Sequence, residues 1–190
     1  ANYAIDTAAP TIATLVVSDD DTVNSSDTNT AVAFSGTTTG VEDGQNITVD
    51  IGGVSKVVTV TNNAFNGTAD LSGVSDNTAL AVSADVSDAA GNAASQFSKT
   101  IVLDTTEPVV SSVALSDSAL KVGESASLTI TFSEAVTGFD NTDITLANGT
   151  LSAISSADGG TTWTGTFTPT DDVESATNVI SVGTTLTDLA

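Results

Sequence analysis

The 190-residue chain repeats itself at a spacing of 98. Ala4-Ile5-Asp6-Thr7-Ala8-Ala9-Pro10 returns as Val102-Leu103-Asp104-Thr105-Thr106-Glu107-Pro108. Phe34-Ser35-Gly36 aligns with Phe132-Ser133-Glu134, and Phe65-Asn66-Gly67-Thr68 with Trp163-Thr164-Gly165-Thr166, at the same spacing. Asp88-Ala89-Ala90 aligns with Asp188-Leu189-Ala190 at a spacing of 100. An offset held over about 80 residues means one structural unit in tandem. The unit, roughly 100 residues, is larger than a solenoid repeat and large enough to bury a core of its own. The expected division is residues 1–104, opening with a linker over 1–9, and residues 105–190.

Both halves consist of short alternating or β-branched runs separated by Gly, Asn, Asp and Ser clusters, and no stretch carries a 3.6-residue apolar stripe. In the first copy strands are predicted over 11–17 (A), 30–35 (B), 46–51 (C), 55–61 (C′), 64–71 (E), 79–86 (F) and 95–103 (G). Gly52-Gly53 and Asn62-Asn63 read as tight turns. The second copy reads 109–115, 126–132, 143–146, 151–155, 162–168 and 178–186, with turns at Asn148-Gly149 and Gly159-Gly160. Seven short strands per copy point to an all-β chain of two tandem immunoglobulin-like β-sandwiches. Phe34, Phe65, Phe97, Phe132, Trp163 and Phe167 are the expected large core residues. No seventh strand follows in the second copy: either the piece is cut from something longer, or a strand such as Asn2–Ile5 is borrowed from a neighbouring molecule.

The chain carries 24 acidic residues against three lysines, for a formal net charge of −21. Residues 1–104 hold 13 acids and two lysines (net −11), and residues 105–190 hold 11 acids and one lysine (net −10), so the charge belongs to the repeated unit. Such a field disfavours nucleic acid and anionic headgroups and attracts cations. A hydrophobic content of 39% with positive mean hydropathy argues against disorder. No apolar run is long enough for a membrane span, so direct membrane insertion is not expected.

Catalysis has little to stand on. Without His or Cys there is no Ser–His or Cys–His pair and no ordinary zinc site. Lys56, Lys99 and Lys121 all read as solvated. The expectation is a protein that is not an enzyme.

The acids follow the topology of a seven-strand sandwich. Asp19, Asp20, Asp21 and Asp27 fall in the A–B loop and Asp76 in the E–F loop, at the pole that holds the linker residue Asp104. Glu134, Asp140 and Asp143 around the second copy's B–C loop, with Asp188 in its F–G loop, are expected to face them. Asp6, Glu42, Asp43, Asp88 and Asn92 are expected at the opposite pole of the first copy. Carboxylates a few Å apart repel by about 1 to 4 kcal/mol per pair. A hard cation with six to eight oxygen ligands relieves this, and Ca²⁺ suits mixed carboxylate and carbonyl donors better than Mg²⁺. Against this stands the plainer possibility that loop Asp residues only shape turns.

Asp-Thr-x-x-Pro at 6–10 and 104–108, Val86-Ser87-Asp88-Ala89-Ala90-Gly91-Asn92, Gly40-Val41-Glu42-Asp43-Gly44 and Phe132-Ser133-Glu134-Ala135-Val136 resemble the tandem bacterial Ig-like domains of giant repetitive adhesins secreted by type I systems. The resemblance implies a structural extender on a bacterial cell surface, outside the cell, with neighbouring repeats of the same chain as partners and Ca²⁺ stiffening the junctions. It implies Asp104 as the linker ligand and Asp188 as the F–G-loop ligand, with Gly36 standing where the second copy has Glu134. The alternatives are an adhesion module recognising a glycan or a protein, and an accessory domain pair of a secreted hydrolase.

Overall fold

The computed structural model describes residues 5–25, 27, 29–175, 177–183 and 186–188. The postulated Asn2–Ile5 strand thus lies, but for Ile5, outside the described residues. The chain divides into two compact units, the first ending at Thr106 and the second beginning at Glu107.

In the first unit the strands are β1 (Thr11–Val17), β2 (Thr22–Asn24), β3 (Val32–Thr39), β4 (Asn46–Ile51), β5 (Val54–Thr59), β6 (Ala64–Ala69), β7 (Asn77–Val86) and β8 (Phe97–Asp104), with a 3-10 turn over Asn29–Ala31. Two sheets result, β1-β3-β6 and β2-β8-β7-β4-β5. Strict alternation builds the core between them. In β3 every second residue from Val32 to Thr38 is buried, and in β4 Ile47, Val49 and Ile51 are fully buried. The β4–β5 hairpin closes on Gly52 and Gly53, both at positive φ (58° and 89°), as a two-residue turn requires.

The second unit contains β9 (Val110–Leu115), β10 (Ala126–Phe132), β11 (Val136–Thr137), a 3-10 turn over Asn141–Asp143, β12 (Ile144–Leu146), β13 (Gly149–Leu151), β14 (Ser155–Ser156), β15 (Thr162–Pro169), β16 (Ile180–Val182) and β17 (Thr187–Asp188). Its main sheet runs β13-β15-β10-β9, with β14 also on β15, and β12-β16 and β11-β17 form two small pairs. Every described pairing in this unit is antiparallel. The chain is all-β, in immunoglobulin-like sandwich order.

Several sequence expectations need correction. The expected strand over 151–155 is two short strands, β13 and β14, separated by Ser152–Ile154. Of the expected strand over 178–186 only Ile180–Val182 is a described strand, β16; β17 follows it at Thr187–Asp188, and Thr184 and Thr185 between them lie outside the described residues. Strand B begins at Val32, because Asn29–Ala31 form a 3-10 turn, and continues to Thr39.

The larger correction concerns register. Val17 and Gly67 flank Phe34 in the first unit, and Leu115 and Gly165 flank Leu128 in the second. The outer strands keep the 98-residue spacing, but the strand between them is displaced by four residues. The counterpart of Phe34 is therefore Leu128, not Phe132, and that of Gly36 is Ile130, not Glu134. The cause lies in the flanking segments. Ser18–Ala31 separates β1 from β3 and makes room for β2, whereas the shorter Ser116–Ser125 separates β9 from β10 and contains no strand. The lost length reappears after β10, where Ser133–Asp143 replaces the shorter Gly40–Gln45.

The displacement changes the packing. In the first unit Phe65 lies over Gly36, so close that a Cβ there would come within 2.3 Å of the ring. In the second unit Ile130 fills the same place beside Trp163, and Phe139 inserts from the lengthened segment. Phe139 meets Phe132 edge-on at 4.9 Å and Trp163 at 5.4 Å. Phe34, Phe65, Phe132 and Phe167 are buried as expected, while Phe97 and Trp163 are half-buried against the cores.

Candidate functional site

The acids of the first unit are held by their own loops. Asp20 accepts from the Thr22 amide at 3.0 Å, and Asp27 accepts from the Asn24 amide at 3.1 Å, while Asp19 is exposed. These are the short side chain-to-backbone bonds that shape turns. Asp21 stands apart. Its Oδ1 accepts from the Val17 amide at 2.9 Å and pairs with the Lys99 ammonium, which also donates to the Leu15 carbonyl at 2.6 Å. Burial raises the Asp21 carboxyl, but the Lys99 hydrogen bond, the Val17 amide and the Lys99 charge outweigh it and hold the group below its ordinary range. Lys99, expected to be solvated, is only 18% exposed at its side chain.

Where the first unit ends, Asp76 reaches the outgoing chain. It accepts from the Thr105 amide and hydroxyl, both at 3.0 Å, and from the Thr106 hydroxyl at 2.5 Å. The Thr106 hydroxyl is the largest influence holding its carboxyl low, followed by the Thr105 amide. Asp104 ends β8 opposite Asn24 and lines a surface depression together with Asp76, Asn77, Thr78 and Leu103. The structure thus brings Asp76 and Asp104 to one place and gives Asp21 to Lys99. Thr105 and Thr106 were missed as partners, although they follow the aspartate in the repeated Asp-Thr-x-x-Pro motif.

At the other pole Asp88 is buried, with 4% of its surface exposed. It accepts from the Asn92 amide and from the Asn92 side-chain NH₂, each at 2.8 Å, and Asn92 also donates to the Asp6 carbonyl at 3.3 Å. Gly91, at φ 92°, lets Asp88–Asn92 close into this loop. The Asn92 side chain is the main reason the Asp88 carboxyl stays low. Glu42 accepts from the Ala89 amide at 2.8 Å and Asp43 from the Asn62 amide at 2.6 Å. Asp6, Asp88 and Asn92 therefore form one connected group, Glu42 touches the same loop, and Asp43 supports a different turn.

In the second unit Asp140 and Asp143 cap the 3-10 turn. Asp140 accepts from the Thr142 amide at 2.7 Å, and Asp143 accepts in return from the Asp140 amide at 2.9 Å, a reciprocal capping box. The Thr142 hydroxyl and amide hold the Asp140 carboxyl low. Asp188 is buried in β17 opposite Val136, and Glu134 lies half-buried just before β11.

The donors are all oxygen, the chemistry of Ca²⁺ or Mg²⁺ and not of softer metals. Among the described residues of each unit, no three acidic side chains come close enough together to hold a metal ion. Any cation site within one unit would therefore draw on carbonyl, hydroxyl and amide oxygens beside one or two carboxylates.

Asp158 supplies a local test of these turn acids. It accepts from the Thr162 amide at 2.9 Å and the Ser156 hydroxyl at 2.8 Å, and these bonds lower its carboxyl from the ordinary 3.8 to about 2. A depressed folded value means stability that is complete above the unfolded value and lost as pH falls through the folded one. The second unit should lose this contribution between pH 4 and 2, and Asp158→Asn should flatten that part of its thermal-midpoint profile. Parallel profiles would show that the turn is held by other bonds.

Residues 104–190 match the bacterial Ig-like domain family. No curated protein matches the chain. Among solved structures, similarity is found to a tetra-tandem repeat in the extending region of a large adhesion protein (22% identity, 94% of this chain and 42% of that one, TM-score 0.41). A 1.5-MDa bacterial ice-binding adhesin (19%, 95% and 65%, 0.42) and a Ca²⁺-stabilized adhesin with which an Antarctic bacterium binds ice (22%, 96% and 50%, 0.42) are also similar. The chain spans less than two thirds of each of these chains. No described helix is long and apolar enough to cross a membrane. The match to the bacterial Ig-like domain family over residues 104–190 spans the second unit, whose described strands pair antiparallel throughout.

Proposed function

We propose that the chain is a spacer from the extending region of a bacterial surface adhesin, in which repeats 1–104 and 105–190 act as passive, non-catalytic lengths of an extracellular rod. The observation that carries this reading is the Asp-Thr-x-x-Pro motif repeated at 6–10 and 104–108, the second of which starts on the last residue of β8 and is anchored by Asp76 through Thr105 and Thr106. A linker that is tied to the body of its own domain suits a spacer better than a swinging tether. The partners in this reading are further repeats of the same kind, before and after.

Calcium belongs to the same proposal. Asp104 ends one repeat and opens the passage to the next, so a cation held there would restrict the linker. Ca²⁺ at about 100 times its Kd should add about 2.7 kcal/mol per site to the folded state, with a smaller gain from Mg²⁺. Asp104→Ala should shift the calcium midpoint of thermal stabilisation by about tenfold, or ~1.4 kcal/mol. Asp158→Ala, in a turn of the second unit, should leave that midpoint in place. Identical melting in chelator and in millimolar Ca²⁺ would remove the metal from the proposal, and equal midpoints for the two variants would remove Asp104 as a ligand.

A further inference from the structure

We propose that Asn148-Gly149 is a site of spontaneous covalent modification, at which the second unit loses ammonia and acquires an isoaspartyl linkage. Asn-Gly occurs twice in the chain, at 66–67 and at 148–149. In such a pair the glycine amide nitrogen, once it has given its proton to base, attacks the asparagine Cγ, unhindered because glycine has no Cβ. A C–N bond forms and closes a succinimide ring, and the side-chain NH₂ leaves as ammonia, taking a proton from water. Water then opens the ring at either carbonyl, giving aspartate or isoaspartate, in which the main chain runs through the former side chain. One water is consumed and one ammonia released, with no cofactor.

Asn66 and Asn148 are both exposed, so the glycine amide decides between them. In the β3–β6 ladder the Thr38 amide donates to the Asn63 carbonyl at 2.8 Å, which sets the phase of the bonds. Four residues on, Phe34 and Gly67 are opposite residues that exchange both their bonds, so the Gly67 amide is held by the Phe34 carbonyl. In β13 the phase is the reverse. The Thr170 amide donates to the Asn148 carbonyl at 2.9 Å, so Gly149 and Pro169 have no bonds between them, and the Gly149 amide faces away from β15. β13 is the end strand of its sheet, and no described strand takes up that amide.

The product disturbs what holds the bend. The Asn148 NH₂ donates to the Asn178 Oδ1 at 2.7 Å, and the Asn178 NH₂ donates to the Ser175 carbonyl at 3.3 Å. A carboxylate only accepts, so the Asn148 bond is lost, and Asn178 regains it only by turning its amide and giving up Ser175. In the isoaspartyl form the carbonyl that receives the Thr170 amide becomes a free carboxylate outside the main chain. The lengthened backbone has no room on the inner side, where a Cβ on Gly149 would stand 2.3 Å from the Phe167 ring.

Incubating the whole folded chain in mildly alkaline buffer tests the site. Each Asn-Gly peptide is followed by its mass as amide turns to acid, and isoaspartate is identified by enzymatic methylation. Asn148 should convert at least about tenfold faster than Asn66, because Gly67 reacts only after its ladder bond opens. In strong denaturant the two pairs should react at like rates, since their local chemistry is the same. Asn148→Gln should remove the isoaspartyl signal from this peptide and leave the slow conversion at Asn66 unchanged. Asn148 reacting no faster than Asn66 in the folded chain would overturn the site, and a difference that persists in denaturant would overturn its structural cause. The isoaspartyl chain, separated by its added charge, should melt several degrees lower by Trp163 fluorescence. Asn148→Asp, which loses the Asn178 bond but keeps the backbone, should fall by less. Melting of the isoaspartyl chain together with the fresh one would overturn the coupling to Thr170 and Asn178.

Discussion

Phe139→Ala should cost the second unit about 3–5 kcal/mol, the range for removing a buried aromatic ring. Phe139 is 4% exposed and is the common neighbour of Phe132 and Trp163, each met edge to face. Aromatic pairs of this geometry contribute about 0.5–1.5 kcal/mol beyond the area they bury, and the substitution removes two of them. The segment that carries the ring cannot close the gap easily, because Val136 on one side is paired to β17 and Asp140 on the other is locked in the capping box. A domain of this size loses several degrees of thermal midpoint per kcal/mol, so the transition should fall by more than about 10 °C. Trp163 is the single tryptophan of the chain, which makes its fluorescence a reporter for this unit alone. An unchanged Trp163 melting curve would mean that the three rings do not form the working core.

Phe139 also marks where the sequence stops being readable. It stands between Gly138 and Asp140 with no alternating neighbours, so no periodicity announces it as a core residue. Strands with a clean period of two were legible: β1, β4 and β10 have the bounds that alternation predicts. β2 was not, because three residues inside an acidic, turn-rich stretch carry no pattern, and its partners lie 80 residues further along the chain. The four-residue displacement of β10 was hidden by a coincidence, since Phe132-Ser133 looks like Phe34-Ser35 although Thr38 is the residue in its place. Sequence likeness follows side chains, whereas register follows the lengths of the flanking loops.

The candidate site divides along the same line. That Asp76 lies with Asp104, and Asp6 with Asp88 and Asn92, follows from which strand ends share a pole, and topology makes that readable. Which acid hydrogen-bonds its own turn depends on backbone angles. Asp21, at φ 68°, turns its carboxylate toward Lys99, and only the folded chain reveals that. Lys99 itself could have been suspected. It alternates with Phe97, Ile101 and Leu103 on the inward side of β8, and a charge on that side needs a partner.

Gly36→Ala should be the most damaging single-carbon change in the first unit. A Cβ at this position would stand 2.2 Å from the Thr14 carbonyl oxygen and 2.3 Å from the Phe65 ring. The ring could swing only by giving up its own burial, at 2% exposure, and the carbonyl belongs to β1, which is paired to β3 on both sides of the contact. Overpacking a tight core costs about 1–3 kcal/mol and more where backbone must move, so the loss should reach the upper end of that range. Phe65→Leu in the same chain should recover only part of it, because the smaller side chain relieves the ring contact and leaves the Thr14 contact untouched. The second unit provides the contrast: Ile130 occupies the corresponding position opposite Val113 and Trp163 and is fully buried. There the chain spends its volume on the strand residue and holds the aromatic half-out, whereas the first unit spends it on the aromatic. Exchanging the two solutions piecemeal, Gly36→Ile in one unit or Ile130→Gly in the other, should destabilise both, by overlap in the first and by a cavity in the second. Denaturant unfolding of the four variants decides the matter, and a Gly36→Ala midpoint equal to that of the parent chain would show that β1 yields at the irregularity in its pairing between Ile12 and Thr14.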